Sequence, residues 1–151
     1  MSDGPARAED IRRIALFFER EVAFNRWLGL RVESLGEGRC VCRIPFRPEL
    51  VGDPFRPALH GGVTSALADT AGGLAVYGAV GQLEARVSTV DLRVDYYAPA
   101  RMEDLVAEAE VVRVGNRVGV SRVLVHHGDR DAPIAEGKGV YNVHKPSARP
   151  A

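Results

Sequence analysis

Between Gly61 and Gly81 the chain runs for 21 residues, GGVTSALADTAGGLAVYGAVG, with small or apolar side chains throughout and a single charge, Asp69. A segment of this length first has to be weighed as a membrane span. Its glycines and its central carboxylate weaken insertion, and strongly alternating segments of a soluble type follow it. A helix that is apolar all round is otherwise a buried helix. The rest of the chain is therefore expected to wrap around this one.

The remaining segments supply the wrapping. Arg7 to Phe24 places Ile11, Ile14, Leu16, Phe17, Phe18 and Val22 among charges, the pattern of an amphipathic helix on a surface. Trp27 to Leu35 reads as a strand closed by Gly36-Glu37-Gly38. Arg39 to Phe46 alternates, with Cys40, Cys42, Ile44 and Phe46 on one face. Residues 47–58 hold three prolines and a glycine and read as loop. Four strand-like runs follow the apolar helix: Ala85–Tyr97, Glu103–Val114, Arg117–His127 and Ile134–Val143. In the first of these Val90, Leu92, Val94 and Tyr96 are expected on one face, opposite Thr89, Asp91, Arg93 and Asp95. Gly115-Asn116 is a hairpin signal between the second and third, and short turns imply antiparallel pairing. The order predicts an α+β roll, an antiparallel sheet curled round a central helix. The division expected is a helical segment over 1–26, the sheet-and-helix body over 27–144, and a frayed tail over 145–151.

Twenty basic and twenty acidic residues cancel. No overall field draws the molecule to nucleic acid or to an anionic membrane, and a polyanionic ligand has to be met by a local patch. The opening MSDGPARAED has no apolar run behind it, so no secretory signal is expected and the cytoplasm is the expected compartment. The two cysteines, Cys40 and Cys42, share one face of one strand, a poor geometry for bridging each other. They read as reduced core thiols. No further Cys or His pair has ligand spacing, so no metal is expected.

Chemistry concentrates on the apolar helix. It opens at Leu59-His60-Gly61-Gly62, where two glycines leave a backbone that a ligand can approach closely. First-turn N–H groups lack intrahelical partners and carry the positive end of the helix dipole, which suits a developing oxyanion. Asp69 is a carboxylate that is costly to bury unless it is paired or has a task. His60 and Asp69 are nine residues apart, about 900° and about 13 Å along a straight helix. One helix cannot bring both to one reacting carbon. Two antiparallel copies across a twofold axis do so twice, so a site using both features requires at least a dimer.

The stretch LHGGVTSALADTAGGLAV, Leu59 to Val76, resembles the motif of hotdog-fold thioesterases of the phenylacetate-pathway type, and Val87 to Ala100, VSTVDLRVDYYAPA, is similar to the family's next strand. The resemblance implies a hotdog fold and hydrolysis of acyl-CoA by a homodimer with shared sites, with pairing of dimers into a tetramer. No cofactor is implied, coenzyme A being part of the substrate. Asp69 would activate water or attack the thioester carbonyl, the Gly61 N–H of the other subunit would hold the oxyanion, and His60 would orient the site. Gly62 would lie against the substrate. Thr89, with Ser88 as the second choice, would place the water. Many relatives carry an Asn about six residues before the His, where this chain has Pro54; a longer loop is expected here and that role passes to no residue.

Coenzyme A carries three phosphates, for which Arg56, Arg93, Arg113 and Arg117 are the candidate contacts. His126, His127 and His144 read as exposed strand-end residues. Ala66, Ala71, Gly72, Gly73 and Leu74 are candidate lining for an aromatic or a medium-chain acyl pocket. Two other functions fit the same fold: a hydratase or dehydratase of acyl thioesters, whose His and acid arrangement is not found, and a non-catalytic acyl-CoA-binding regulatory domain, which needs no Asp69.

Overall fold

The computed structural model describes residues 5–146. The element order is α1 (Pro5–Arg20), α2 (Ala23–Leu28), β1 (Arg31–Gly36), β2 (Arg39–Ile44), β3 (Val51–Asp53), β4 (Ala58–Leu59), α3 (Gly61–Val80), β5 (Arg86–Tyr96), β6 (Leu105–Val114), β7 (Val118–His126) and β8 (Ala135–His144). A six-stranded antiparallel sheet in the order β1-β2-β6-β7-β8-β5 curls round α3. This is the hotdog architecture.

Alternation along each strand decides what the helix meets. Cys40, Cys42 and Ile44 of β2, Leu105, Ala107 and Ala109 of β6, Val123 and Val125 of β7, and Ala135 and Tyr141 of β8 face inward and are buried. They meet Leu67, Ala68, Ala71, Leu74 and Ala75 of α3, each wholly buried. Burial of a leucine-sized side chain contributes about 1.5–3 kcal/mol, so this layer is the main source of stability. The cysteines behave as expected: both are free and buried, with their sulfurs 3.5 Å apart.

Three details of the sequence reading are corrected. The first helix stops at Arg20, and a second short helix follows, ended by Gly29 at φ 71° with its N–H on the Arg26 carbonyl. Trp27 therefore lies in α2 and not in a strand, because that left-handed glycine ends the helix in a tight cap. The region 47–58, read as loop, contains a 3-10 turn at Pro48–Leu50 and the small β3–β4 hairpin. Its register is set by Val51 opposite Leu59, and the His60 N–H donates to the Leu50 carbonyl at 2.8 Å. Lastly, β5 is bulged between Thr89 and Asp91, which turns Val90 out, 67% exposed, and leaves Thr89, Leu92 and Val94 on the helix side.

His126 also departs from expectation. It is 2% exposed, its Nε2 lies 3.2 Å from Glu108 Oε1, and its Nδ1 accepts the Gly128 N–H at 3.0 Å. A buried imidazole needs such partners. His127 is half-buried, with Nε2 accepting the Arg101 N–H and Nδ1 donating to the Asp104 carbonyl. Both pin the loops at that end of the sheet; His144 is exposed as expected. Of the expected tail, residues 147–151 lie outside the described residues. Among the described residues no helix is long and apolar enough to cross a membrane, and no cluster of His, Cys, Asp and Glu could hold a metal.

Candidate active site

The site is built on α3. His60 is its N-cap, extended at φ −61° and ψ 131°, and its ring Nδ1 accepts the Gly62 N–H at 2.9 Å. That bond fills the Nδ1 lone pair, so the neutral ring carries its proton on Nε2, which has no hydrogen-bond partner among the described residues. Gly52 fixes the imidazole's backbone: a Cβ there would come within 2.8 Å of His60 Cβ. The Gly61 N–H has no acceptor among the described residues. It is one of the first-turn donors that a helix leaves open, and the aligned dipole adds positive charge to it.

The Gly61 carbonyl is held separately. Tyr96 Oη donates to it at 2.9 Å, so the Ser65 hydroxyl, bonded to the same phenol, must be the donor in that pair. Grooves flank this helix end on both sides. One, about 360 Å³, is bounded by Gly61, Thr64, Tyr96, Tyr97 and Pro99. The other, about 350 Å³, lies beside His60 and Gly62.

Asp69 sits two turns further on. It is not enclosed: Ala66, Asp69, Thr70, Gly73 and Tyr77 recur at helical spacing and are only half-buried, so α3 has one open stripe and is not covered all round. Asp69 Oδ1 accepts the Thr89 hydroxyl at 2.8 Å across to β5. The helix carbonyl of the same residue accepts the Tyr141 hydroxyl at 3.1 Å. Burial raises that phenol's pKa, with the Asp69 charge adding to the effect, so it stays protonated and a donor. Ser88, one position along β5, is exposed on the other face. Thr89 is the hydroxyl that meets the carboxylate.

Within one protomer the two halves stay apart. Nothing in the chain folds α3 so that the Gly61 N–H approaches Asp69, in line with their ~12 Å separation along the axis. The arginines are scattered too. Arg56 pairs with Asp53 at 3.5 Å in the turn before β4, and Arg93 pairs with Asp95 at 3.1 Å. Arg113 and Arg117 are exposed at the β6–β7 turn, a hairpin whose Gly119 packs on Val76 near the far end of α3 from His60.

Tyr141 is the site residue that sequence reasoning missed. Gly72 and Gly139 leave the space its hydroxyl and ring fill: a Cβ at either would overlap them, and one at Gly73 would lie 3.3 Å from the ring. The Gly72-Gly73 pair in mid-helix was the visible signal. Ala71, Gly72 and Leu74, candidates for a pocket wall, instead face the chain's own core. Of that set only Ala66 and Gly73 remain half-open.

The sequence model of the thioesterase superfamily matches residues 57–134, which contain His60, Gly61, Asp69 and Thr89. A medium/long-chain acyl-CoA thioesterase of Salmonella typhimurium is 32% identical over 145 residues, 88% of this chain and 93% of that protein. A crystal structure from Shewanella oneidensis, described as related to the thioesterase superfamily, superposes with a TM-score of 0.84 at 32% identity, covering 93% of this chain and 99% of that one. The phenylacetic acid degradation protein PaaI of Thermus thermophilus superposes at 0.68 with 28% identity, over 79% of this chain and 96% of its own. By sequence, by fold and by the carboxylate-bearing central helix, this chain belongs to the thioesterase superfamily and is a hotdog-fold thioesterase.

Proposed function

We propose that the protein hydrolyses acyl-CoA thioesters to the free acid and coenzyme A, in the cytoplasm, as a homodimer whose two sites are each shared between protomers. The observation that carries this reading is the pair of features on α3: a carboxylate oriented by the Thr89 hydroxyl on an open stripe, and an N–H without an acceptor at the same helix's start. Paired across a twofold axis, Asp69 of one protomer meets the helix N-terminus of its partner. The thioester carbonyl accepts from the Gly61 N–H, and His60, the N-cap of the same helix, orients the site. Asp69 either takes a proton from water as the water attacks or adds to the carbonyl itself. Charge moves onto the carbonyl oxygen, where a preformed donor and the helix dipole stabilise it. Collapse expels the thiolate of coenzyme A. On the water route this leaves the free acid; on the direct route it leaves an acyl–Asp69 anhydride that water then hydrolyses to the acid and the free carboxylate.

Relatives named for medium- and long-chain acyl-CoA support that substrate class. Arg56 stands nearest in the chain to the His60 end and is the first candidate for the phosphates; Arg93, Arg113 and Arg117 are further ones. Buried, free cysteines fit a reducing compartment. The dimer, and the tetramer that two dimers would form, are read by sedimentation.

Thiol release from a panel of acyl-CoAs tests the reading. The unaltered protein should hydrolyse medium-chain substrates, and Asp69→Asn should lower the rate at least ~100-fold. A neutral amide is cheaper to bury than an ion, so the fold should survive. An Asn variant that keeps more than half its activity removes Asp69 from the mechanism. Tight binding without any thiol release would make the protein a binding domain.

A further inference from the structure

The groove beside His60 has a wall that the reaction chemistry does not explain. Phe24 and Trp27 stand on the outer side of α2, stacked with ring centroids 6.3 Å apart and planes 10° from parallel. They are 58% and 53% exposed. The Arg47 guanidinium lies 4.8 Å from the Trp27 ring centroid and also donates to the Trp27 carbonyl, so Arg47 clamps the indole. Leu28, Leu50, Val51 and Val63 complete an apolar trough of about 350 Å³ that ends at His60 and Gly62. An aromatic pair held this firmly and left open to water is a binding surface more than a packing accident.

Three observations decide its occupant. The trough is continuous with the oxyanion end of α3, since His60 and Gly62 flank the Gly61 N–H. Its one charged lining residue is Glu49, which disfavours phosphate, while the nearby Arg47 is engaged with the Trp27 ring and carbonyl and is not part of the lining. Every other lining side chain except His60 is apolar or aromatic. An uncharged hydrocarbon that begins at the reacting carbonyl meets all three conditions; the nucleotide end of coenzyme A meets none.

We propose that the trough between α2 and the β3–β4 hairpin takes the acyl chain of the substrate, with Trp27 as the residue that sets chain-length preference. The proposal rests on the acyl-CoA hydrolase reading above. Trp27 is the chain's single tryptophan, so its emission reports the trough alone. Full-length protein is titrated with S-decyl-CoA and S-methyl-CoA, thioethers that cannot be hydrolysed, with binding followed by calorimetry and by fluorescence. S-decyl-CoA should shift Trp27 emission to the blue and S-methyl-CoA should not. Affinity should rise about fourfold for each methylene the trough buries. In hydrolysis, Trp27→Ala should lower the ratio of kcat/KM for decanoyl-CoA over acetyl-CoA by about tenfold, and Trp27→Phe should restore most of it. A ratio cancels general damage to α2.

Binding of both thioethers with Trp27 emission unchanged, or an unaltered ratio in Trp27→Ala, overturns the trough as acyl site and leaves the hydrolase reading standing. Emission that follows protein concentration and ignores ligand assigns the aromatic pair to an interface between copies and also overturns it. Failure to bind either thioether overturns the acyl-CoA reading itself.

Discussion

A threonine hydroxyl has one proton, and at position 89 it goes to a carboxylate: Thr89 Oγ1 donates to Asp69 Oδ1 at 2.8 Å. That bond occupies Oδ1 of Asp69 and leaves Oδ2 as the oxygen proposed to meet water or the carbonyl. A hydrogen bond to a charged partner is worth about 1.5–3 kcal/mol. If Thr89 orients Asp69 for the reaction, Thr89→Val should lower kcat by about tenfold or more, while Thr89→Ser should keep most of the rate. Steady-state kinetics on one acyl-CoA reads both; equal rates in Val and Ser variants would leave the hydroxyl with a structural role only. Asp69, His60 and Gly61 were legible in the sequence because each is chemically out of place: a charge in an apolar helix, and a His-Gly-Gly at its start. Thr89 over Ser88 was not legible from alternation alone. The bulge at Val90 breaks the strand's two-residue period, and only the pairing with β8 tells which hydroxyl faces α3.

At the scale of the element, α3 is a helix with a job at each end of its first half, and glycine makes both possible. Gly61 tests the start. His60 at ψ 131° already has the extended backbone that a following proline requires. A Cβ at Gly61 would meet only the Tyr96 ring, at 3.6 Å, an ordinary contact. Gly61→Pro removes the open N–H from a first-turn position that tolerates proline. It should fold, by circular dichroism, and be nearly inactive, with Gly61→Ala active as the control. A folded Pro variant with ordinary turnover would show that this N–H does not hold the oxyanion. Gly72 tests the middle. A methyl there overlaps the Tyr141 hydroxyl and lies 2.6 Å from Ser121 Oγ. Overpacking of this kind costs about 1–3 kcal/mol, and each kcal/mol lowers the melting temperature of a chain this size by about 2–4 °C. Thermal unfolding of Gly72→Ala should show that drop, and adding Tyr141→Phe should recover part of it. Strands β2 and β5 to β8 and helix α3 were readable from period and turn chemistry, with ends within two residues, whereas β1 begins at Arg31, four residues after the expected Trp27. The α1–α2 break and the β3–β4 hairpin were not: a six-residue helix and a strand of two residues carry too few turns or alternations to print a pattern.

For the whole molecule the open surfaces argue for a second copy. The stripe of α3 that bears Asp69 is half-exposed, and β5, the edge strand beside it, is exposed along most of its length. An unpaired edge and a half-bare central helix are surfaces that proteins normally cover. The sequence made this visible only indirectly, through the impossibility of one straight helix presenting both Gly61 and Asp69 to one carbon. The protomer keeps that impossibility intact, because no loop or kink brings them together. Mixing variants measures it directly. Inactive Asp69→Asn chains and inactive Gly61→Pro chains are unfolded together and refolded, and mixed dimers are verified by mass. Random pairing makes about half of the dimers mixed, and each mixed dimer has one site with both unaltered parts, so about a quarter of the unaltered activity should return. Activity that stays at the level of the separate variants, with mixed dimers present, would mean that each site is completed within one chain, and would contradict the shared site.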